Sequence, residues 1–393
     1  MKIKQVDIYQ LHWQGLSPVW HPVVVRLTTD TGLTGFGEAG TAYGIGSVGT
    51  VGVLQELAHR LIGRDPAQIS QIWQDFYQHS FWAKGGGVVF YSAVSAIDIA
   101  LWDLKGKALG QPVYQLLGGK VHDRLPAYAS HIEYGWGPFP RYVTAPDDFA
   151  RLAKRVVGQG YSGIKIDPLN FERGKTFLPF RGLLDSHQLQ EAYDRVAAIR
   201  KAAGEQTRLI VDCHAKLEPA AAIALAHKLA PLNVSYFEEP ISPQNVAGFA
   251  TVAQQSGLPL ATGERLTNAL SFAPLVDSGS IQVLQPDLGN CGGITSAVRL
   301  MGLAAAHELS IQLHVCGGPL ATAAALQFEA ACPQFLIHEE HEVNRKPANI
   351  ASGRYHYAPV DGSYAIPDRP GIGQELSEQA MEDAQVTTIR EEE

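Results

Sequence analysis

The sequence predicts an α/β protein built on a (β/α)8 barrel with a smaller companion domain. Asp212, Glu238 and Glu264 stand at intervals of 26 residues, each at the downstream end of a short apolar run. A strand, a turn, a helix and a return loop occupy about this length, and the strand ends of such a barrel converge on one mouth. The length of 393 residues also exceeds the usual size of one domain. We therefore expect the three carboxylates to meet.

The elements before the barrel read as a sheet followed by helices. Residues 3–39 contain two alternating runs that are joined through Ser-Pro and punctuated by Asp-Thr-Gly, which is typical of antiparallel strands. Helical periodicity follows, and from about Leu125 onward strand and helix patterns alternate, so that eight strands can be counted. Thr295 can cap the helix that follows it, and Gly318-Pro319 precedes another helix.

Composition and charge exclude several classes of protein. A formal charge of -8, a pI near 6.0 and the lack of any run of Lys and Arg argue against nucleic-acid binding. The N-terminal segment lacks an apolar core of signal-peptide length, and no apolar stretch approaches about 18 residues. We therefore expect a cytoplasmic protein with no membrane contact. The four cysteines form no C-x-x-C pair and are expected to be reduced.

The three carboxylates predict a metal site. Asp212, Glu238 and Glu264 offer oxygen ligands only, without nitrogen or sulfur, and such a set suits a hard cation. Mg2+ is the expected ion, with Mn2+ as the alternative. Any single acid at a strand end could instead cap a helix or pair with an arginine. Three acids in register favour the metal.

The same period continues downstream and predicts a general base. Asp287, His314 and Glu339 close the next three runs. Neighbouring strands would bring Asp287 against His314, where a carboxylate fixes the imidazole tautomer and raises its basicity. We expect Glu339 to orient a substrate carboxylate or to stabilise its protonated intermediate, with a structural salt bridge as the alternative.

Two further candidates follow from the rule that alternate residues of a strand share a face. His214 stands two residues after Asp212, and Lys165 stands two before Asp167. His214 could protonate a departing hydroxyl, or it could be a packing histidine. Lys165 could neutralise a substrate anion or act as a second acid or base, or it could pair with Asp167. Together these groups predict removal of the proton alpha to a carboxylate.

Three loops interrupt the pattern. Residues 13–21, with Trp13 and Trp20, and residues 131–143 are rich in aromatic side chains and could form a lid, a surface cluster or a subunit contact. Residues 170–182 lengthen the interval between two strands and should project from the barrel.

The residues above resemble the mandelate racemase-like branch of the enolase superfamily. Residues 95–119 resemble its signature helix, and residues 284–295 resemble its second signature. The resemblance implies an α+β capping domain over a modified TIM barrel of (β/α)7β form. In the family, loops of the capping domain close over the substrate, which assigns Trp20 and His21 to substrate binding. The implied boundaries are a capping domain at 1–122, a barrel at 123–340 and a C-terminal segment at 341–393 that returns to the capping domain.

Within this branch the resemblance narrows the reaction. Asp287 with His314 matches the base dyad, Glu339 matches the acid near the substrate carboxylate, and His214 resembles the acid of the sugar-acid (galactonate-type) dehydratases. Asp167 stands where racemases and cycloisomerases of the family carry a second lysine. We therefore expect proton abstraction from one face and count Asp167 among the substrate-binding residues.

The resemblance implies a hydro-lyase of carbohydrate catabolism, an Mg2+-dependent acid-sugar dehydratase. Its substrate would be an aldonic or aldaric acid, its product a 2-keto-3-deoxy acid, and its assembly a homo-oligomer by analogy. Two alternatives stay open at this point. The same enediolate could serve a racemase, an epimerase or a cycloisomerase, and a silent relative could keep the barrel as a binding or structural protein.

Overall fold

A computed structural model describes residues 1–12, 20–138, 141–171 and 182–391. Trp13 and most of the predicted insertion at 170–182 lie outside these ranges. The strands are β1 (Ile3–Gln10), β2 (Val23–Thr29), β3 (Thr34–Ala39), β4 (Arg124–Ser130), β5 (Gly163–Ile166), β6 (Arg208–Asp212), β7 (Tyr236–Glu238), β8 (Leu260–Thr262), β9 (Val283–Leu284), β10 (Ser310–Ile311), β11 (His338–His341), β12 (Ser363–Ala365) and β13 (Gln385–Arg390). The helices are α1 (Ser47–His59), α2 (Ile69–His79), α3 (Val88–Leu109), α4 (Val113–Leu116), α5 (Pro146–Gly158), α6 (Ser186–Ala203), α7 (Pro219–Leu229), α8 (Val246–Ser256), α9 (Ala269–Asp277), α10 (Gly293–Ala306), α11 (Pro319–Ala331), α12 (Pro347–Ser352) and α13 (Glu378–Asp383).

The eight strands from β4 to β11 form one curled parallel sheet, and the helices α5 to α11 alternate with them. The two ends of the sheet meet, because β11 pairs with β4 and Ile311 of β10 pairs with Phe335, just before β11. Eight strands with seven intervening helices confirm the predicted (β/α)7β form of the TIM barrel. The strand ends therefore share one mouth, as the carboxylate spacing requires.

A four-stranded antiparallel sheet in the order β13-β1-β2-β3 forms a second unit with α1, α2 and α3. Its outer strand β13 comes from the end of the chain. Asp7 on β1 ties three strands together, since it lies 2.8 Å from Arg26 on β2 and accepts a 2.7 Å hydrogen bond from Thr388 on β13. The last strand of the C-terminal segment thus pairs with the first strand of the chain, and the division into 1–122, 123–340 and 341–393 stays a prediction.

Helix α3 fastens this capping unit to the barrel. It packs closely on β3, where a Cβ at Gly37 would lie 2.0 Å from the carbonyl oxygen of Ala96, so only glycine fits. On its other side Ser95 and Asp98 accept hydrogen bonds from the first turn of α10. Thr295 was predicted to cap this helix, and that prediction is wrong: α10 begins at Gly293, and Asp98 accepts the Thr295 N–H at 2.9 Å. The cap comes from a tertiary contact.

A second barrel helix is capped in the same way. The helix predicted after Gly318-Pro319 forms as α11, which begins at Pro319 and has Gly318 as its N-cap. The carboxylate of Glu38 accepts hydrogen bonds from the N–H groups of Gly318 at 2.5 Å and Ala321 at 3.0 Å. Glu38 lies on β3 and is buried. Both capping carboxylates thus belong to one unit and serve helices of the other.

The remaining expectations concern the cysteines and the membrane. All four cysteines are free thiols, as expected. Across the described ranges, none of the helices combines the length and the apolar character needed to cross a membrane.

Candidate functional site

The three evenly spaced carboxylates meet at the barrel mouth, as predicted. Asp212 ends β6 and pairs in register with Glu238, the last residue of β7, and Glu264 follows β8 by two residues. One oxygen from each lies within 4.8 Å of the others. Oδ2 of Asp212 is buried and accepts no hydrogen bond, so the cluster offers an unsatisfied oxygen to a cation. These residues could hold a metal ion, and their oxygen-only donor set fits a hard one.

Lys165 on β5 is buried among these carboxylates. Its Nζ lies 2.6 Å from Glu238, 2.9 Å from Glu339 and 3.5 Å from Asp212. Burial opposes its charge, but Glu238 and Glu339 outweigh burial and raise the pKa of Lys165 well above its usual range. The alternative of an ion pair between Lys165 and Asp167 is therefore wrong, because the ammonium group of the lysine contacts Glu238 and Glu339 instead.

The carboxylates of the cluster differ in their affinity for protons. Burial, aided by the charge of Asp212, raises the pKa of Glu238 well above its usual range. Burial also opposes ionisation of Asp212, but His214 and Lys165 outweigh it and hold the pKa of Asp212 well below its usual range. Gln285 donates a 2.6 Å hydrogen bond to Glu238. The single positive charge of Lys165 beside Glu238 therefore does not offset the repulsion among these carboxylates, and a bound cation would relieve it.

Glu339 lies within β11 and makes the salt bridge that was the alternative to a substrate contact. Besides Lys165, it accepts hydrogen bonds from Ser130 at 2.6 Å and from the N–H of Val315 at 2.9 Å. Burial opposes its ionisation, but Lys165 and His314 prevail and lower the pKa of Glu339. Its catalytic role stays a prediction.

The predicted carboxylate–imidazole pair forms. Nδ1 of His314 lies 2.7 Å from Oδ2 of Asp287, whose other oxygen accepts the N–H of Gly289 at 2.7 Å. Nε2 of His314 lies 3.4 Å from Oε2 of Glu264. Burial by itself would lower the pKa of His314. Glu264 and Asp287 outweigh burial, and the net effect raises the pKa of His314 from its usual value to about 10.

His214 forms a second pair of this kind. Its Nδ1 lies 2.7 Å from Oδ2 of Asp167, which also bonds Lys216, and its Nε2 lies 3.6 Å from Oδ2 of Asp212. The argument from strand alternation was wrong here, because β5 ends at Ile166 and β6 ends at Asp212. His214 reaches the mouth through a left-handed backbone with φ 47°, and its N–H donates to Oδ1 of Asp212 at 2.8 Å.

His131 is a third imidazole at the mouth, and sequence reasoning missed it. Nδ1 of His131 lies 2.8 Å from Glu133, Nε2 lies 3.6 Å from Oδ2 of Asp212, and the ring stacks on His214 at 4.9 Å between centroids. The available signal was its position directly after β4. Residues 131–143 were interpreted only as an aromatic loop, and this hid the strand-end histidine.

The two capping-unit residues predicted to contact substrate lie beside the barrel. Trp20 is buried in a small apolar cluster with Ala42, against Cys316, which follows His314 by two residues. The backbone N–H of His21 donates to the carbonyl of Ala42 at 2.6 Å. Substrate contact by Trp20 and His21 stays a prediction.

Comparison with known proteins agrees with this geometry. Residues 20–118 match the mandelate racemase/muconate lactonizing enzyme N-terminal domain, and residues 148–380 match the enolase C-terminal domain-like family. A D-galactonate dehydratase of Pectobacterium atrosepticum is 31% identical over 97% of this chain and 94% of its own length. A D-gluconate/D-galactonate dehydratase of Picrophilus torridus is 33% identical over 97% and 93%.

Solved structures give the same result. An enolase superfamily member from Salmonella Typhimurium has a TM-score of 0.96 and 39% identity, and the match covers 99% of this chain and 100% of that one. A mandelate racemase/muconate lactonizing enzyme from Jannaschia sp. CCS1 has a TM-score of 0.87 and 32% identity over 97% of both chains. The dehydratase relatives are consistent with a hydro-lyase. The chain belongs to the mandelate racemase/muconate lactonizing enzyme family of the enolase superfamily.

Proposed function

We propose that this protein is an Mg2+-dependent acid-sugar dehydratase that converts an aldonic or aldaric acid into a 2-keto-3-deoxy acid. One observation carries the proposal: two imidazoles, His314 and His214, each have Nδ1 held by a carboxylate at 2.7 Å. Their Nε2 atoms face different carboxylates of the cluster, Glu264 at 3.4 Å and Asp212 at 3.6 Å. Elimination of water needs one base and one acid, and this arrangement supplies both.

The metal would be held by Asp212, Glu238 and Glu264. Three carboxylates favour Mg2+, with Mn2+ as the alternative, because both ions prefer oxygen ligands. When bound, the cation supplies positive charge that offsets the ligand carboxylates, lowers the pKa of the neighbouring His314 and stabilises the charge that develops on the substrate carboxylate.

In the first step His314 takes the alpha proton on Nε2. Asp287 accepts the hydrogen on Nδ1 and so keeps the ring in the tautomer that has a free lone pair on Nε2. A positioned base of this kind typically contributes about 100- to 10,000-fold in rate.

In the second step His214 gives the proton on Nε2 to the 3-hydroxyl, the C3–O bond breaks and water leaves. The remaining enol becomes the 2-keto acid by taking a proton at C3 and losing the proton of its 2-hydroxyl. Asp167 holds the imidazole by Nδ1, and Lys216 offsets the charge of Asp167. We therefore assign Asp167 to positioning His214 beside the substrate.

Lys165 and Glu339 would act on the substrate carboxylate. The pair lies at 2.9 Å, next to the metal cluster, and Lys165 offsets charges on three carboxylates at once. We propose that Lys165 keeps the cluster ionised and that Glu339 orients the substrate carboxylate. Trp20 and His21 would contact the far end of the sugar acid.

The test is a panel of aldonic and aldaric acids, assayed with Mg2+ for 2-keto product by semicarbazide and for alpha-proton exchange in D2O. We expect one or a few acids to yield keto product. His314→Asn should lose exchange and product together, whereas His214→Asn should lose product and keep exchange. The control is His187→Asn, which replaces an exposed histidine on α6.

Other outcomes would favour another reaction. Inversion at the alpha carbon without keto product would indicate a racemase or an epimerase. Exchange without loss of water from any acid of the panel would favour a cycloisomerase acting on a different substrate.

A further inference from the structure

The barrel mouth contains a second cluster of metal-ligating atoms, formed by His131, Asp212 and His214, which we call the imidazole cluster. Nε2 of His131 and Nε2 of His214 each lie 3.6 Å from Oδ2 of Asp212. One donor atom from each of the three residues lies within 4.8 Å of the others. The cluster shares Asp212 with the three-carboxylate site but brings two nitrogen donors in place of Glu238 and Glu264.

A carboxylate holds each imidazole at Nδ1, on the side of the ring away from the Nε2 that faces Asp212. Nδ1 of His131 lies 2.8 Å from Glu133, and Nδ1 of His214 lies 2.7 Å from Asp167. A carboxylate that accepts the Nδ1 hydrogen leaves the lone pair on Nε2, and metal-ligating histidines are usually held in this way. Once a metal ion displaces any proton from Nε2, both lone pairs would face Asp212.

The carboxylate between them has an unsatisfied oxygen. Asp212 is fully buried, and its Oδ2 accepts no hydrogen bond. Oδ1 is already used by the N–H of His214 at 2.8 Å. Nζ of Lys165 lies 3.5 Å from Oδ2 without forming a hydrogen bond, so a cation bound at this oxygen would supply the close partner that buried acceptors almost always have.

The two nitrogen–oxygen distances suit a tetrahedral ion, and the two nitrogens lie within 4.8 Å of each other. Zn2+ lies about 2.0–2.1 Å from nitrogen and oxygen ligands, so neighbouring donors of a tetrahedron lie about 3.3 Å apart. The two nitrogen–oxygen distances of 3.6 Å come within a few tenths of an ångström of this value. Two imidazoles and one carboxylate also suit Zn2+ and Co2+ better than Mg2+, which prefers oxygen.

We propose that His131, Asp212 and His214 bind a transition-metal ion of the Zn2+ type, with water in the open position. Because Asp212 belongs to both clusters, this ion competes with the hard cation on the three carboxylates. It also occupies Nε2 of His214. Zn2+ is then an inhibitor of Mg2+-supported activity, and the site itself does not depend on which reaction the protein catalyses.

Co2+ provides a direct probe, because tetrahedral Co2+ with nitrogen ligands absorbs visible light strongly, whereas octahedral Co2+ with oxygen ligands absorbs weakly. We expect one equivalent of Co2+ to give the intense band in the metal-free protein, Zn2+ to abolish it, and excess Mg2+ to weaken it. His131→Asn should lose the band. Asparagine is the chosen replacement because it tolerates the left-handed backbone of His131, φ 58°.

Two further variants show whether Co2+ is bound by the imidazole cluster or by the three-carboxylate site. His214→Asn should also lose the intense band, and it tests the site if His131→Asn fails to fold by circular dichroism. Glu264→Gln removes a ligand of the three-carboxylate site only, so it should keep the band and lose its sensitivity to Mg2+. His187→Asn, which replaces an exposed histidine, should match the wild type.

Contrary results are equally clear. A weak octahedral spectrum in the wild type, or an intense band that survives both histidine replacements, would overturn the proposal. Loss of the band in Glu264→Gln alone would place the ion on the carboxylates. Keto-acid formation with Mg2+ is measured separately, so failure of the dehydratase proposal would leave the Co2+ result standing, and the reverse also holds.

Discussion

At the scale of single residues, the same arrangement occurs three times at the mouth of the barrel. In each case a carboxylate holds Nδ1 of an imidazole, and Nε2 faces a carboxylate of the three-carboxylate cluster. The three pairs are His314 with Asp287, His214 with Asp167 and His131 with Glu133. Burial alone would lower the pKa of His314 and of His131. In His314 and His131 neighbouring carboxylates outweigh burial and raise the pKa to about 10. Nearby carboxylates, of which Glu264 acts most on His314 and Glu133 most on His131, therefore favour the protonated form of these two imidazoles.

The Asp287→Asn variant tests this arrangement in the proposed base. An amide keeps the shape of the carboxylate but not its charge, so it holds His314 weakly and can stabilise the wrong tautomer. We expect alpha-proton exchange to slow by about 100- to 10,000-fold at neutral pH with little change in folding. Exchange in D2O with an accepted acid, followed by NMR, measures the effect. Asp194→Asn on the exposed face of α6 should exchange at the wild-type rate; an unchanged rate in Asp287→Asn would exclude the dyad as the base.

At the scale of elements, the capping unit supplies N-caps to two barrel helices. Asp98 on α3 serves α10, and Glu38 on β3 serves α11. These helices follow the strand ends that carry Asp287 and His314. The contacts of the capping unit therefore fix the chain on the downstream side of both members of the proposed base dyad.

Glu38 should make stability depend on pH. Burial raises the pKa of Glu38 to about 7, above the 4.5 of an unperturbed glutamate, although the N–H groups of Gly318 and Ala321 lower it. The folded protein thus keeps a proton that the unfolded chain loses, and the free energy of unfolding falls as pH rises from about 4.5 to about 7. We expect Glu38→Gln to reduce this fall by on the order of 2 kcal/mol, as measured by urea unfolding between pH 5 and 8.

Two comparisons make the result for Glu38 decisive. Near pH 5 glutamine resembles the protonated side chain, so the variant and the wild type should have similar stability there. Glu382→Gln, an exposed replacement on α13, should follow the wild-type pH dependence. A parallel pH dependence in Glu38→Gln would show that this carboxyl is not the titrating group.

The Asp98→Ala variant tests how much a helix cap supplied by the other unit contributes to the free energy of unfolding. Asp98→Ala removes the buried acceptor of the Thr295 N–H and leaves a cavity, so we expect a loss of about 2–3 kcal/mol. Asp185→Ala removes a local capping box at the exposed start of α6 and should cost about 1 kcal/mol. Urea unfolding of both variants at pH 8 gives the comparison. An equal cost for the two would mean that the interface cap adds nothing beyond an ordinary helix cap.

At the scale of the whole molecule, the two ends of the chain join in one sheet. β13 pairs antiparallel with β1 over residues 385–390, and Ile389 is buried against the capping unit. Without β13, β1 becomes an edge strand with unpaired backbone groups. The sheet of the capping unit is therefore complete only when the segment after the barrel is in place.

Truncation after Ala384 tests this dependence. The loss of Ile389 burial alone corresponds to roughly 1.5–3 kcal/mol, and the loss of the strand ladder adds to it. We expect a lower midpoint of thermal unfolding and concentration-dependent aggregation, measured by calorimetry and size-exclusion chromatography. A truncation after Arg390 keeps β13 and is the control. Equal midpoints for the two truncations would mean that β13 contributes no stability.

The sequence by itself determined the barrel, the three-carboxylate cluster and the pairing of Asp287 with His314. Each of these follows from one repeated interval, because strand ends of a closed parallel sheet converge whatever the loops do. Residues after the last repeat lack the period, and this segment supplies β13.

Only the tertiary structure decided the partners of Lys165, the arrival of His131 beside Asp212 and the caps from Asp98 and Glu38. These depend on left-handed backbone at His131 and His214 and on contacts between residues far apart in the chain. A period in the sequence cannot encode either, because it describes spacing along the chain. Which side chains share a charge or a hydrogen bond is decided when the capping unit packs on the barrel.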